Sequence, residues 1–355
     1  MLKMKLDGYR FSGFHKSHIG ALKSCLDYFN IPVSSAWIYG MSGNAFMTVV
    51  DDRLSAPNIG EPEEEMFTLA RHLGLDIRGF HTFADKIEFE RLQREAWAKA
   101  RSALDQGLPV FAKELDLGNE TSVVYGYDDT GYYSYSWHGG NGHEGSDNAI
   151  PWSKLGRNYC PCASCRERER SGEWANDGVY TGDPEEGGFI SLHWVSPVEP
   201  SDDRTALRAA LALALNHNKR GTYKWGGRTF YSGAAAFDRW MDSLRSNTIH
   251  GFYMGYFTDI CHESRRFAHL FLSEAADRFD GVLSEELGRA SEHYRQIQEA
   301  FRSLNQLFPW SQPHAPIEDP DRRREAIEAL AGIRGLEIEA HDILEKLHDL
   351  CCSAD

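Results

Sequence analysis

From Ser201 onward, apolar residues recur at helical spacing in one segment after another. The segments are DDRTALRAALALALNHN, GAAAFDRWMDSLRS, RRFAHLFLSEAADRF, LSEELGRASEHYRQIQEAFRSLNQLF and DRRREAIEALAGIRGLEIEAHDILEKLHDLC. Pro309, Pro313 and Pro316 separate the last two, because proline lacks the amide a helix interior needs and clashes with the preceding turn. Five amphipathic stripes have to bury their apolar faces on one another. This part of the chain is therefore expected to be an all-α helical bundle.

The text ahead of it differs. SPVEPSDD carries two prolines and then Ser201 before two acids, a helix-capping signal, so the boundary belongs there. A chain of 355 residues has room for about two domains, read here as 1–197 and 201–355. In the first, Ile19, Leu22, Leu26 and Phe29 mark one face of a helix in SHIGALKSCLDYFN. PEEEMFTLARHLGL and FERLQREAWAKARSALDQG read as two more helices, the latter closed by Gly107. PVSSAWIYGMSGNAF reads as a short apolar segment entering a glycine-rich loop. LPVFAKEL, TSVVYGYDD, YYSYSW and GGFISLHWVSP read as antiparallel strands, with Asp-Asp-Thr-Gly turning a hairpin between the second and third. Helices followed by strands indicate α+β.

The net charge of −15 repels phosphate backbones and anionic membranes, which argues against a nucleic-acid or membrane partner. No apolar run approaches the roughly 20 residues that span a bilayer. MLKMKLDGYRF lacks the apolar core of a secretory signal, and seven unevenly spaced cysteines suit a cytoplasmic protein with free thiols.

ALKSCLDYFN, IYGMSGNAF, LPVFAKEL, VVYGYDD and NAIPWSKLGRN together resemble the papain-like domain of the butirosin biosynthesis protein H N-terminal family, and more distantly bacteriocin-processing thiol peptidases. AAAFDRWMDSL, RRFAHLFLSEAADRF, REAIEAL and HDILEKL resemble the helical domain often fused to it. The resemblance implies a papain-like fold and a cysteine at a helix start facing a histidine on the sheet. It also implies natural-product biosynthesis, with acyl transfer from a carrier protein to an amine.

Carried over residue by residue, the cysteine position falls on Ser17, with Lys16 before it; the histidine position falls on Glu120, followed by Thr121. The orienting carboxylate falls near Ser136 or Trp137, and the oxyanion donor near Phe11. A thiolate gains from a helix N-terminus, whereas a serine needs an adjacent base. Cys25 lies two turns too far along the helix and reads as a buried structural thiol. Ser17 also suits an N-cap. His15 and His18 flank it, and His138 and His143 stand in the glycine-rich WHGGNGHEG; a Ser17–His138 pair is the alternative base arrangement.

Cys160, Cys162 and Cys165 bring three thiols within six residues, a set that suits a structural zinc ion or a group of free thiols. The amides of Ser42, Gly43 and Asn44 form a candidate anion nest, read alternatively as a tight turn after a strand. GTYKWGGRTFYSG, with Lys224 and Arg228, reads as a helix-linking loop; His262 and Arg266 sit one turn apart on a solvated helix face.

The sequence thus supports a degenerate papain-like protein. It is expected to bind a small molecule, a peptide or an acyl-carrier partner in a cleft between the domains, without thiol chemistry. Two rival readings stay open: an acyltransferase or amide hydrolase running on Ser17 with Glu120 or His138, and a zinc-stabilised interaction module.

Overall fold

In the computed structural model, residues 3–55, 60–135, 148–171 and 187–353 are described. They form an α+β protein with antiparallel sheets and a helical C-terminal region. Two compact units divide the chain: Met1–Pro32 with Gly74–Pro200, and Val33–Leu73 with Ser201–Asp355. Ser201 opens the last stretch of the second unit. The linear division needs one correction, since Val33–Leu73 leaves the first unit and folds with the helices.

β1 (Met4–Lys5) and α1 (Ser17–Tyr28) open the first unit. The chain then contributes α2 (Ser35–Met41), β2 (Val49–Asp51) and α3 (Glu63–Leu69) to the second unit. It returns for β3 (Leu75–Asp85), α4 (Lys86–Asp105), β4 (Val110–Lys113), β5 (Thr121–Tyr127), β6 (Gly131–Tyr135), β7 (Ile150–Pro151), α5 (Ala163–Ser171) and β8 (Gly187–Pro197). The second unit is completed by α6 (Asp203–Lys219), β9 (Thr222–Trp225), β10 (Arg228–Ser232), α7 (Ala234–Arg245), α8 (Gly251–Arg278), α9 (Gly281–Leu307) and α10 (Pro320–Cys352).

The first unit is a seven-stranded antiparallel sheet in the order β3-β8-β4-β5-β6-β7, with β1 added to β5. The β5–β6 turn is fixed by Asp128, whose carboxylate accepts from the amides of Thr130 and Gly131 at 2.7 and 3.2 Å. α4 starts where Asp85 accepts from the Glu88 amide at 3.0 Å, and buries Phe89, Leu92, Ala96, Ala100 and Leu104. Its Trp97 meets Tyr132 edge-on at 5.0 Å, and Lys99 lies over the Trp194 ring. α4 therefore covers the sheet face that carries Tyr132 and Trp194.

The second unit is not all-α. β2, β10 and β9 form a three-stranded antiparallel sheet, so GTYKWGGRTFYSG is a hairpin rather than a loop between helices. Gly226 and Gly227 both take positive φ, +55° and +75°, which a two-residue hairpin turn requires. Arg265 of α8 is fully buried at the centre of this unit. Its guanidinium donates to the carbonyls of Ala45 and Met47 at 2.8 and 3.1 Å, to the Thr48 hydroxyl and to both carboxylate oxygens of Glu337 on α10. One cation thereby ties the turn after α2 to two long helices.

Candidate functional site

Ser17 is the first helical residue of α1, not its cap; Lys16 holds the cap position in extended conformation and makes no side-chain capping bond. The Ser17 hydroxyl instead accepts from the Thr121 amide at 2.9 Å. That amide is its one hydrogen-bond partner among the described residues. The bond joins the start of α1 to the start of β5, and Lys16, Ser17, Glu120 and Thr121 are all buried. His18 is buried one residue further along α1. The structure thus brings four of the expected residues to one place. His138, the alternative base, lies outside the described residues, as do His143, Ser136 and Trp137.

Register adds residues that one-dimensional reading misses. Thr121 faces Lys113, Lys113 faces Ser191, and Ser191 faces His81 across β5, β4, β8 and β3. Directly opposed residues in antiparallel strands put their side chains on the same face, so these four form one transverse polar row. Thr121, Lys113 and Ser191 are each at most 2% exposed. The Ser191 hydroxyl and His81 Nδ1 are 3.1 Å apart. In the adjacent row His193 stacks on Phe111, ring centroids 4.9 Å apart. Burial, His81 and Lys113 all hold His193 well below the usual histidine range, so its imidazole is neutral near pH 7. The Thr121 hydroxyl has no hydrogen-bond partner among the described residues.

Glu114 follows Lys113 in the left-handed region, at φ +57°. Its carboxyl is fully buried, and burial pushes it up to about 8; Lys113, Asn158 and the Asn119 amide pull the other way, while Glu120 adds to the rise. The Glu114 amide donates to the Glu120 carbonyl at 3.1 Å, closing the β4–β5 loop. A buried acid that is neutral near pH 7 can donate or take up a proton. Cys25 fits the sequence reading: it is fully buried, and burial pushes its thiol up to about 12 despite the Tyr9 hydroxyl 3.5 Å away.

No family model matches the chain, and no curated protein sequence matches it.

Three other candidates resolve differently. Ser42, Gly43 and Asn44 belong to the second unit and follow a helix, α2, whose cap is the Ser34 hydroxyl accepting from the Trp37 amide. Their amides are spent internally on the Ile38 carbonyl, the Gly40 carbonyl and the Ser42 hydroxyl, and all three residues are buried. They offer no nest to an anion. Arg228 pairs with Asp51 and Asp52. His262 is held below the usual histidine range, chiefly by burial.

Cys160, Cys162 and Cys165 do converge. Their sulfurs all lie within 4.8 Å of one another, and each thiol is buried. The Cys162 amide points at Cys160 Sγ (3.5 Å) and the Cys165 amide at Cys162 Sγ (3.4 Å). Such N–H···S contacts favour thiolate over thiol, whereas burial, and after it the Cys162 and Cys165 thiols, push the Cys160 thiol upward. Three soft donors with amides aimed at two of their sulfurs fit a soft metal ion.

A surface cavity of about 280 Å³ also lies on the first unit, between α4 and the turn at 152–157. Lys86, Arg94 and Arg157 set three cations against Glu90 there, beside Trp152. The Gln93 amide fixes its floor by donating to the carbonyls of Ser153 and Leu155, both at 2.8 Å. No helix among the described residues is long and apolar enough to cross a membrane.

Proposed function

We propose that this chain is a papain-like relative of the butirosin biosynthesis protein H N-terminal family that has lost its thiol chemistry and works by binding. The ligand class is a small molecule, a peptide or an acyl-carrier partner within natural-product biosynthesis. The observation that supports the reading is the Ser17–Thr121 bond: the Ser17 hydroxyl is buried and accepts a backbone amide, and by the sequence resemblance Ser17 takes the place of the family's cysteine and Glu120 that of its histidine. A serine without an adjacent base is a weak nucleophile. The cavity beside Trp152 holds more cations than anions, with Arg94 paired to Glu90 and Arg157 donating to the Gly187 carbonyl, and this excess supports an anionic group on the ligand. A fluorophosphonate probe tests the reading. The folded protein is expected to resist labelling at Ser17, and the Ser17→Ala variant to keep its ligand binding. Labelling at Ser17, or a transfer or hydrolysis rate abolished by Ser17→Ala, would establish the acyltransferase or hydrolase reading instead.

The thiol cluster favours a second role beside the first. We propose that Cys160, Cys162 and Cys165 hold a structural zinc ion, on the ground that three buried sulfurs converge within 4.8 Å. Metal analysis of protein purified without added zinc tests it. About one ion per chain is the expected result.

A further inference from the structure

Immediately before the first thiol, the chain is stitched to the β4–β5 loop, which ends at Thr121, the partner of Ser17. The amides of Gly156 and Asn158 both donate to the Glu114 carbonyl, at 3.0 and 3.2 Å, and the Tyr159 amide donates to the Leu115 carbonyl at 2.9 Å. Glu114 in turn donates its amide to the Glu120 carbonyl, and its carboxyl accepts from the Asn119 amide. The next amide, that of Thr121, reaches Ser17. Hydrogen bonds joined by single peptide links therefore lead from residue 159, adjacent to Cys160, to the head of α1.

This knot is conformationally costly. Glu114, Asn119, Asn158 and Gly156 all take positive φ, at +57°, +66°, +50° and +77°. A non-glycine residue in that region persists only where its surroundings over-determine it. Gly156 has no room for a side chain: a Cβ there would meet the Phe189 carbonyl oxygen at 2.4 Å. On one side the 156–159 strut is held by its bonds to the Glu114 and Leu115 carbonyls. On its far side the strut runs directly into the thiols, where Arg166 donates to the Cys160 carbonyl at 2.7 Å and lies over the Tyr159 ring.

We infer that a soft metal ion held by Cys160, Cys162 and Cys165 anchors the 156–159 strut and thereby fixes the β4–β5 loop against Ser17. The inference rests on the metal reading above and adds a task to it. The ion positions the Glu114–Thr121 loop rather than holding the whole unit together. Chelation by three residues of one short segment fixes that segment, and the strut transmits the constraint through its backbone bonds.

The test is hydrogen exchange on the full chain, zinc-loaded and then stripped with a chelator, with metal content measured in each sample. Stripping is expected to speed exchange about tenfold or more in peptides covering 114–122 and 156–166, and to leave α4 and the interior of β8 unchanged. Cys162→Ser, which removes one ligand without a chelator, is expected to give the same local pattern. Failure to bind zinc even when it is added to the reduced protein would sink the metal reading and this inference with it. Stoichiometric zinc with unchanged exchange at 114–122 would keep the metal and overturn its coupling to the loop. Faster exchange throughout the unit would make the ion a global stabiliser and equally overturn the local role.

Discussion

The Thr121 amide donates to the Ser17 hydroxyl at 2.9 Å, which makes a side chain at a helix start the backbone partner of a strand start. Both residues are buried, so the bond has no water to replace it.

Ser17→Ala therefore strands a buried amide. A loss of about 1–3 kcal/mol is expected, the usual cost of leaving such a group unsatisfied, read as a lower midpoint in urea with an unchanged slope. Thr121→Val is the contrast. The Thr121 hydroxyl has no partner among the described residues, so its replacement by a methyl is expected to be neutral or stabilising. If both variants lost equal stability, the Ser17 bond would not be what joins α1 to β5.

Glu114 sets a pH dependence of unusual sign. Burial lifts its carboxyl from the ordinary value near 4.5 to about 8, so between those limits the native state binds more protons than the unfolded chain. Stability from this group is fully present below about 4.5, declines as pH rises, and is gone above about 8. Glu114→Gln keeps the shape and removes the titration. Urea midpoints at pH 5, 7 and 9 are expected to fall less with rising pH in the variant than in the parent. Parallel profiles would show that Glu114 is not protonated in the native state at neutral pH.

How much of this was legible beforehand depends on what a single strand of text can carry. α1, α4 and the strands β4, β5, β6 and β8 follow from period and turn chemistry, because each has a continuous apolar face or a marked turn. β3 escaped because LDIRGFHTFAD is half exposed along its length and shows no clean alternation. α2 has seven residues, too few to display a helical period, so its glycine-rich end reads as a nest or as a tight turn after a strand. Ser17, Glu120 and the three thiols were visible as residue types. The polar row through Lys113, Ser191 and His81 was not, because it exists only in cross-strand register. The departure of Val33–Leu73 to the other unit is a matter of tertiary packing, which local pattern does not encode.

Arg265 offers a large effect in the second unit. Arg265→Ala is expected to cost about 3–5 kcal/mol, the range for breaking a buried ion pair, since it leaves Glu337 without its partner and frees the carbonyls of Ala45 and Met47. Glu337→Gln keeps a hydrogen-bond acceptor beside the guanidinium and is expected to cost less. Denaturant titrations of both variants and of the pair separate charge from geometry, because the double-variant cycle isolates their coupling. Equal losses from the two single variants, with the double variant losing no more than either, would mean that the carbonyl contacts carry nothing.

Thiol reactivity separates the seven cysteines by environment. Cys352 is exposed, whereas Cys25, Cys160, Cys162, Cys165, Cys261 and Cys351 are buried. Only a thiolate is nucleophilic, and burial pushes Cys25 up to about 12 and Cys351 to about 11. Iodoacetamide at pH 8 is therefore expected to modify Cys352 rapidly in the native protein and to reach the others only on unfolding. Peptide mapping against time reads each site separately. Zinc should protect Cys160, Cys162 and Cys165 further, so stripping the metal is expected to raise their alkylation while Cys25 stays inert. If Cys25 reacted as fast as Cys352, the helix α1 would open readily, and the buried Ser17–Thr121 bond would not persist in solution.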